Sequence, residues 1–228
     1  MTAFRPPTPE HVLLDGPAGV LEAIYEVPAD HDGRQVALVC HPHPLFGGTM
    51  DNKVVHTTAR ALQECGYGTL RFNFRGVGQS AGSWDGGRGE TQDAAAAATA
   101  LLTRFPGAAW VVAGFSFGAY VATQLATQLI RPSAAAEGVA VRQLITIAPP
   151  VQRFDFSTLA VPQCPWLVVQ GDQDELVDHQ HVLAWTRTLT PAPTVVLLAG
   201  AEHFFHGRLH DLRTAIQSHL LPPVSDGR

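Results

Sequence analysis

The sequence predicts a mostly parallel α/β sheet with helices on both faces, preceded by an antiparallel hairpin. Three observations lead there. Short apolar runs rich in β-formers, such as Val36 to Cys40, Ala109 to Ala113 and Trp166 to Gln170, read as strands buried on both faces. Segments of helical length and pattern lie between them. This strand-helix alternation repeats through most of the chain.

Taken in order, His11 to Leu14 and Gly19 to Val27 form a hairpin through the turn Asp15-Gly16-Pro17. After a polar turn, Pro28 to Arg34, the strand Val36 to Cys40 ends in the loop His41-Pro42-His43-Pro44-Leu45-Phe46-Gly47-Gly48. A helix follows over Asn52 to Glu64, then a strand over Gly68 to Phe74 and a glycine-rich loop over Arg75 to Gly89. The helix Glu90 to Arg104 contains the alanine run Ala94 to Ala98, a strong helix former. The strand Ala109 to Ala113 leads to a helix, Ala119 to Ile130, in which Val121, Leu125 and Leu129 recur at every fourth position. Strands at Arg142 to Ala148, Trp166 to Gln170 and Thr194 to Leu198, with helices at Asp178 to Leu189 and Phe205 to Leu220, complete the pattern. About seventeen residues, Pro149 to Pro165, separate two of these strands, too few to insert a helical lid. The site is therefore expected to be open and suited to a small or protruding substrate.

At 228 residues, 46% hydrophobic, the chain is long enough for one sizeable core, and a single domain over 1–228 is expected. The net charge of -5 and the scattered Lys and Arg argue against nucleic acid or an anionic membrane as partner. No segment has the length of a membrane span, and the N-terminus lacks the pattern of a signal peptide, so a cytoplasmic location is expected. Cys40, Cys65 and Cys164 are widely spaced and read as buried reduced thiols.

Gly114-Phe115-Ser116-Phe117-Gly118 sits between an apolar strand and a helix, the setting of a nucleophile elbow. The bland alternative is that Ser116 is an ordinary helix N-cap. A serine hydroxyl needs a base to take its proton and a carboxylate to orient that base. Gly171 to Val177 follows a buried strand and holds Asp172 and Asp174; Gly200 to His206 follows the last strand and holds His203 and His206. Both loops lie at the carboxyl ends of parallel strands, where ligands bind. Asp174, further out on its loop, is favoured over Asp172, which suits bracing the turn. His203, ahead of the helix, is favoured over His206. An oxyanion needs preorganised N–H donors, one from Phe117 and one from the loop after Cys40. Pro42 and Pro44 have no N–H, which leaves His43 or Leu45, and the fold allowed by Gly47-Gly48 favours Leu45.

Together, the segments His41 to Val55, Arg71 to Glu90, Gly114 to Tyr120, Gln170 to Val177 and Gly200 to Leu209 resemble α/β-hydrolases. Within these, the chain is similar to the compact lidless branch of dienelactone hydrolases and small bacterial serine esterases. The resemblance implies the α/β-hydrolase fold, with Asp174 as the acid of a Ser-His-Asp triad and Leu45 as the oxyanion residue ahead of Phe46-Gly47-Gly48. Dienelactone hydrolases use cysteine where this chain has Ser116, so their substrate does not carry over. The function then expected is hydrolysis of small carboxylic esters or thioesters by Ser116, His203 and Asp174, without cofactor or metal, with peptidase activity second.

Two rival classes start from other features. His41, His43, His203 and His206 could converge on a metal; otherwise the first two brace their loop. A non-catalytic interaction protein would be expected to lack a triad member. The loop Gly76 to Gly89 lacks the Lys-Ser/Thr ending of a phosphate-binding loop.

Overall fold

Strands buried on both faces require helices above and below, and that requirement sets the architecture. In the computed structural model, which describes residues 4–128 and 141–220, β1 (Glu10–Gly16) and β2 (Gly19–Glu26) form the antiparallel hairpin. Next come β3 (Gln35–Cys40), α1 (Lys53–Glu64), β4 (Gly68–Phe72), α2 (Arg88–Arg104), β5 (Ala109–Phe115) and α3 (Phe117–Gln128). β6 (Val141–Ile147), β7 (Trp166–Gly171), α4 (His179–Thr186), β8 (Thr194–Leu198) and α5 (Leu209–His219) complete the order. The sheet runs β1-β2-β4-β3-β5-β6-β7-β8; β2 meets β4 antiparallel, and every pair from β4 to β8 is parallel.

Alternate residues of each strand feed two separate apolar layers. Trp110 and Val112 of β5 pack with Ala94 and Leu101 of α2, Val121 and Leu125 of α3 and Val182 of α4. Val111, Ala113 and Phe115 of the same strand pack with Val54 and Leu62 of α1 and Leu212 and Ile216 of α5. β5 is thus central in both directions, and its carboxyl end is held from all sides. Among the described residues no helix is long and apolar enough to cross a membrane.

Most boundaries match the sequence pattern, and the departures have local causes. α2 starts at Arg88 because Glu90 reaches back to accept from the Gly87 N–H (2.7 Å) and the Asp85 N–H (2.9 Å). α5 starts at Leu209 rather than Phe205 because Phe205 (φ 52°) and Gly207 (φ 68°) adopt left-handed backbone that a helix cannot continue through. α4 ends at Thr186 rather than Leu189. The expected extension of α3 to Leu129 and Ile130 lies outside the described residues. Between β6 and β7 the chain forms only a short 3-10 turn, Phe156–Thr158, and no lid.

Two buried groups fix the loops around the carboxyl end of β3. Arg75 holds Asp93 through Nε (3.0 Å), Nη2 (2.8 Å) and its own backbone N–H (3.0 Å), pinning the glycine-rich loop to α2. The Asp93 side chain is wholly buried. His41 is buried as well: its Nδ1–H donates to the Pro42 carbonyl (2.6 Å) and its Nε2 accepts from the Phe74 N–H (3.0 Å). Both nitrogens are used in their neutral-ring roles, as the brace reading expects. Burial holds the His41 pKa down at about 3, against the ordinary 6.5.

Removing one partner of the buried pair leaves an uncompensated charge, so Asp93→Ala is expected to lose about 3–5 kcal/mol; an unchanged urea midpoint would contradict this. For His41 the folded pKa lies below the unfolded one. Its contribution is therefore complete above pH 6.5 and is lost as the pH falls towards 3. Between pH 7 and pH 5 this histidine alone is expected to remove about 2 kcal/mol of stability, read from urea unfolding at the two values. A flat profile would show that His41 is not held neutral.

Candidate active site

β5 becomes α3 across a single residue, and that residue is Ser116, with φ 53°. Left-handed backbone is unfavourable for a serine and persists only where its surroundings enforce it. Here the Ser116 N–H donates to the Ile147 carbonyl (2.8 Å) and the Ser116 carbonyl accepts from the Ala119 N–H (2.8 Å). The flanking glycines are required by space. A Cβ on Gly114 would collide with the Gly118 carbonyl, and one on Gly118 with the carbonyl oxygens of Cys40 and His41. The glycine pair therefore lets the elbow press against the exit of β3.

The structure brings the three sequence-selected side chains into one line. Ser116 Oγ lies 3.2 Å from His203 Nε2. His203 Nδ1 donates to Asp174 at 2.8 Å (Oδ2) and 3.1 Å (Oδ1). The side chains of Asp174 and His203 are 0% and 3% exposed, so water does not compete for this pair. Asp174 also accepts from the N–H groups of Leu176 (2.9 Å) and Val177 (2.7 Å) and from Gln170 Nε2 (3.0 Å). These donors fix the carboxylate's orientation. Asp172 instead accepts from the Gly200 N–H at 2.7 Å, tying two loops together, which is the bracing role expected of it. Glu175, which sequence reasoning did not single out, accepts from the His203 N–H at 3.1 Å.

Phe117 is the first residue of α3, where a backbone N–H has no intrahelical acceptor, and none among the described residues takes it. Leu45 stands differently from the sequence expectation. It is 65% exposed, and its N–H donates to His43 Nδ1 at 3.2 Å, capping the 3-10 turn Pro44–Phe46. That commitment makes Leu45 a poor oxyanion donor. The other candidate, the His43 N–H, has no acceptor among the described residues, and His43 lines the same cleft as Ser116 and Phe117.

The cleft has a volume of about 570 Å³ and is walled mainly by apolar side chains, with Ser116 and His203 among its lining residues. Phe46, Phe117 and Phe204 are among the aromatic residues of the lining. Phe115 lies in the core, and Trp84 packs behind the wall against His43 (4.3 Å between centroids) and Phe117 (4.9 Å). Asn52, Arg153, Phe154 and Leu176 also line the cleft and were missed. Arg153 follows the carboxyl end of a parallel strand, a position that could have flagged it. The four histidines of the metal alternative do not converge. His41 spends both nitrogens on backbone groups, His203 on Asp174 and Ser116, and His206 is 62% exposed beside Glu202. Among the described residues no three His, Cys, Asp or Glu side chains gather as a metal site would require.

Comparison with known proteins identifies the family and the fold. Residues 37–220 match the model of a family described as an alpha/beta hydrolase domain. An uncharacterised protein of Rickettsia prowazekii (strain Madrid E) is 36% identical over 219 residues, covering 92% of this chain and 88% of its own. A Xanthomonas campestris structure, described as an a/b serine hydrolase without lid, is 44% identical, with 95% of each chain covered and a TM-score of 0.84. An alpha-beta serine hydrolase homologue from Coxiella burnetii is 42% identical, covering 93% of this chain and 97% of its own, also at a TM-score of 0.84. On the fold, the elbow and these matches, the chain belongs to the alpha/beta hydrolase domain family, within its lidless branch.

Proposed function

We propose that the protein is a serine hydrolase that cleaves small carboxylic esters or thioesters through an acyl-enzyme. The observation that carries this reading is the buried hydrogen-bonded line from Ser116 Oγ through His203 to Asp174, opening on the cleft. Ser116 Oγ attacks the substrate carbonyl carbon while its proton passes to His203 Nε2. The resulting oxyanion is held by the amides of Phe117 and His43, both at the cleft wall without another acceptor. As the tetrahedral species collapses, the alcohol or thiol departs with the proton from His203, leaving the acyl group on Ser116. Water then gives its proton to His203 and attacks the acyl carbon. Collapse returns the proton to Ser116 and releases the carboxylic acid.

Asp174 holds His203 in the tautomer that presents an unprotonated Nε2 to the serine and stabilises the charged ring formed in each half-reaction. Esters and thioesters rank above amides because their leaving groups depart with less protonation. The open approach between β6 and β7, without a lid, favours a substrate that is small or projects from a larger body.

Ser116→Ala is expected to abolish measurable turnover of 4-nitrophenyl acetate. Asp174→Asn is expected to lower kcat by about 10⁴-fold, because its amide would force the wrong tautomer on His203. Circular dichroism of both variants checks that the fold is kept. Wild-type turnover in folded Ser116→Ala would remove the mechanism.

A further inference from the structure

Among the described residues no carboxylate lines the cleft, although the chain as a whole carries a net charge of -5. Among the described residues the one permanently charged side chain on its walls is Arg153. It stands in the turn after β6, where the N–H groups of Arg153 (3.0 Å) and Phe154 (3.1 Å) both donate to the Pro150 carbonyl. Its guanidinium makes no hydrogen bond or ion pair among the described residues. Arg71, Arg75 and Arg104, by contrast, each hold a carboxylate. The charge of Arg153 is felt by His43 on the cleft wall: with desolvation as the larger cause, it holds that imidazole below its ordinary pKa. Asn52 supplies a second polar group. Its Oδ1 is committed to the Val54 N–H at 2.9 Å, which leaves its Nδ2 as the free end.

We propose that the cleft selects substrates bearing a carboxylate away from the scissile carbonyl, with Arg153 as the residue that recognises it. This rests on the serine-hydrolase reading above. A guanidinium pairs with a carboxylate through two parallel N–H bonds, and because Arg153 is exposed as well as lining the cleft, the pairing takes place at the solvent-facing rim. The single fixed cation matches a monoanion. A phosphate dianion would keep one charge unmatched, because the neighbouring His43 is held towards its neutral form. A cavity of about 570 Å³ has room for an acyl or alcohol part of several carbons between the ester and the carboxylate. A neutral substrate would gain nothing from the guanidinium.

Two matched ester pairs test this. The 4-nitrophenyl monoester of adipic acid and its methyl ester differ only in charge on the acyl side; 4-acetoxybenzoate and its methyl ester differ in charge on the leaving-group side. The wild type is expected to favour the anion of at least one pair by about tenfold in kcat/KM, and added salt should shrink that ratio. Arg153→Gln should bring it to about one, Arg153→Glu should invert it, and Arg153→Lys should retain part of it. No anion preference on either pair, or a preference that survives Arg153→Gln, overturns the proposal. Ser116→Ala is assayed alongside. If it is inactive while the wild type shows no preference, the anion proposal fails and the serine mechanism stands; turnover surviving in Ser116→Ala would sink the mechanism itself.

Discussion

The left-handed backbone of Ser116 is the constraint on which the rest of the site depends. Such a conformation costs a non-glycine residue about 1–3 kcal/mol, so it must be imposed. The central strand β5, buried on both faces, supplies the anchor, and Ile147 of β6 takes the Ser116 N–H. The strain places Oγ above the sheet edge rather than within the β5 ladder. It also requires close backbone approaches. Gly114 meets Gly118, and Gly118 meets Cys40 and His41, so the serine, the first amide of α3 and the loop after β3 form one rigid assembly.

Around that assembly each charged group has a stated partner or a stated lack of one. Asp174 is oriented by two backbone amides and by Gln170 before it meets His203, so the acid is preorganised by its own loop. His41 acts as a buried neutral bracket between two loops, and Arg75 ties a third to α2 through Asp93. These groups are structural: they hold the loops around the carboxyl end of β3. Arg153 differs in being directed to the cleft without a carboxylate to hold.

The fold was largely legible because its strands are apolar runs between glycine- and proline-rich turns, a signal that depends on local composition alone. The positions of Ser116, Asp174 and His203 were legible for a related reason: each sits just beyond the end of a parallel strand, and strand ends can be counted. What failed to show were features set by contacts across the chain. Nothing local reveals that the His43 side chain turns back to cap Leu45, which takes that amide away from an oxyanion role. The late start of α5 depends on the left-handed Phe205, a residue type that gives no such warning. The position of Arg153 after a strand end could have marked it as a rim residue, but that it stands without a carboxylate partner only three-dimensional placement can show.

The most direct test of an activated serine at this elbow is labelling with a fluorophosphonate probe, followed by intact mass and peptide mapping. The account predicts one adduct per chain, on Ser116, absent from Ser116→Ala. A folded wild-type protein that takes no adduct, or takes it on another residue, would contradict it.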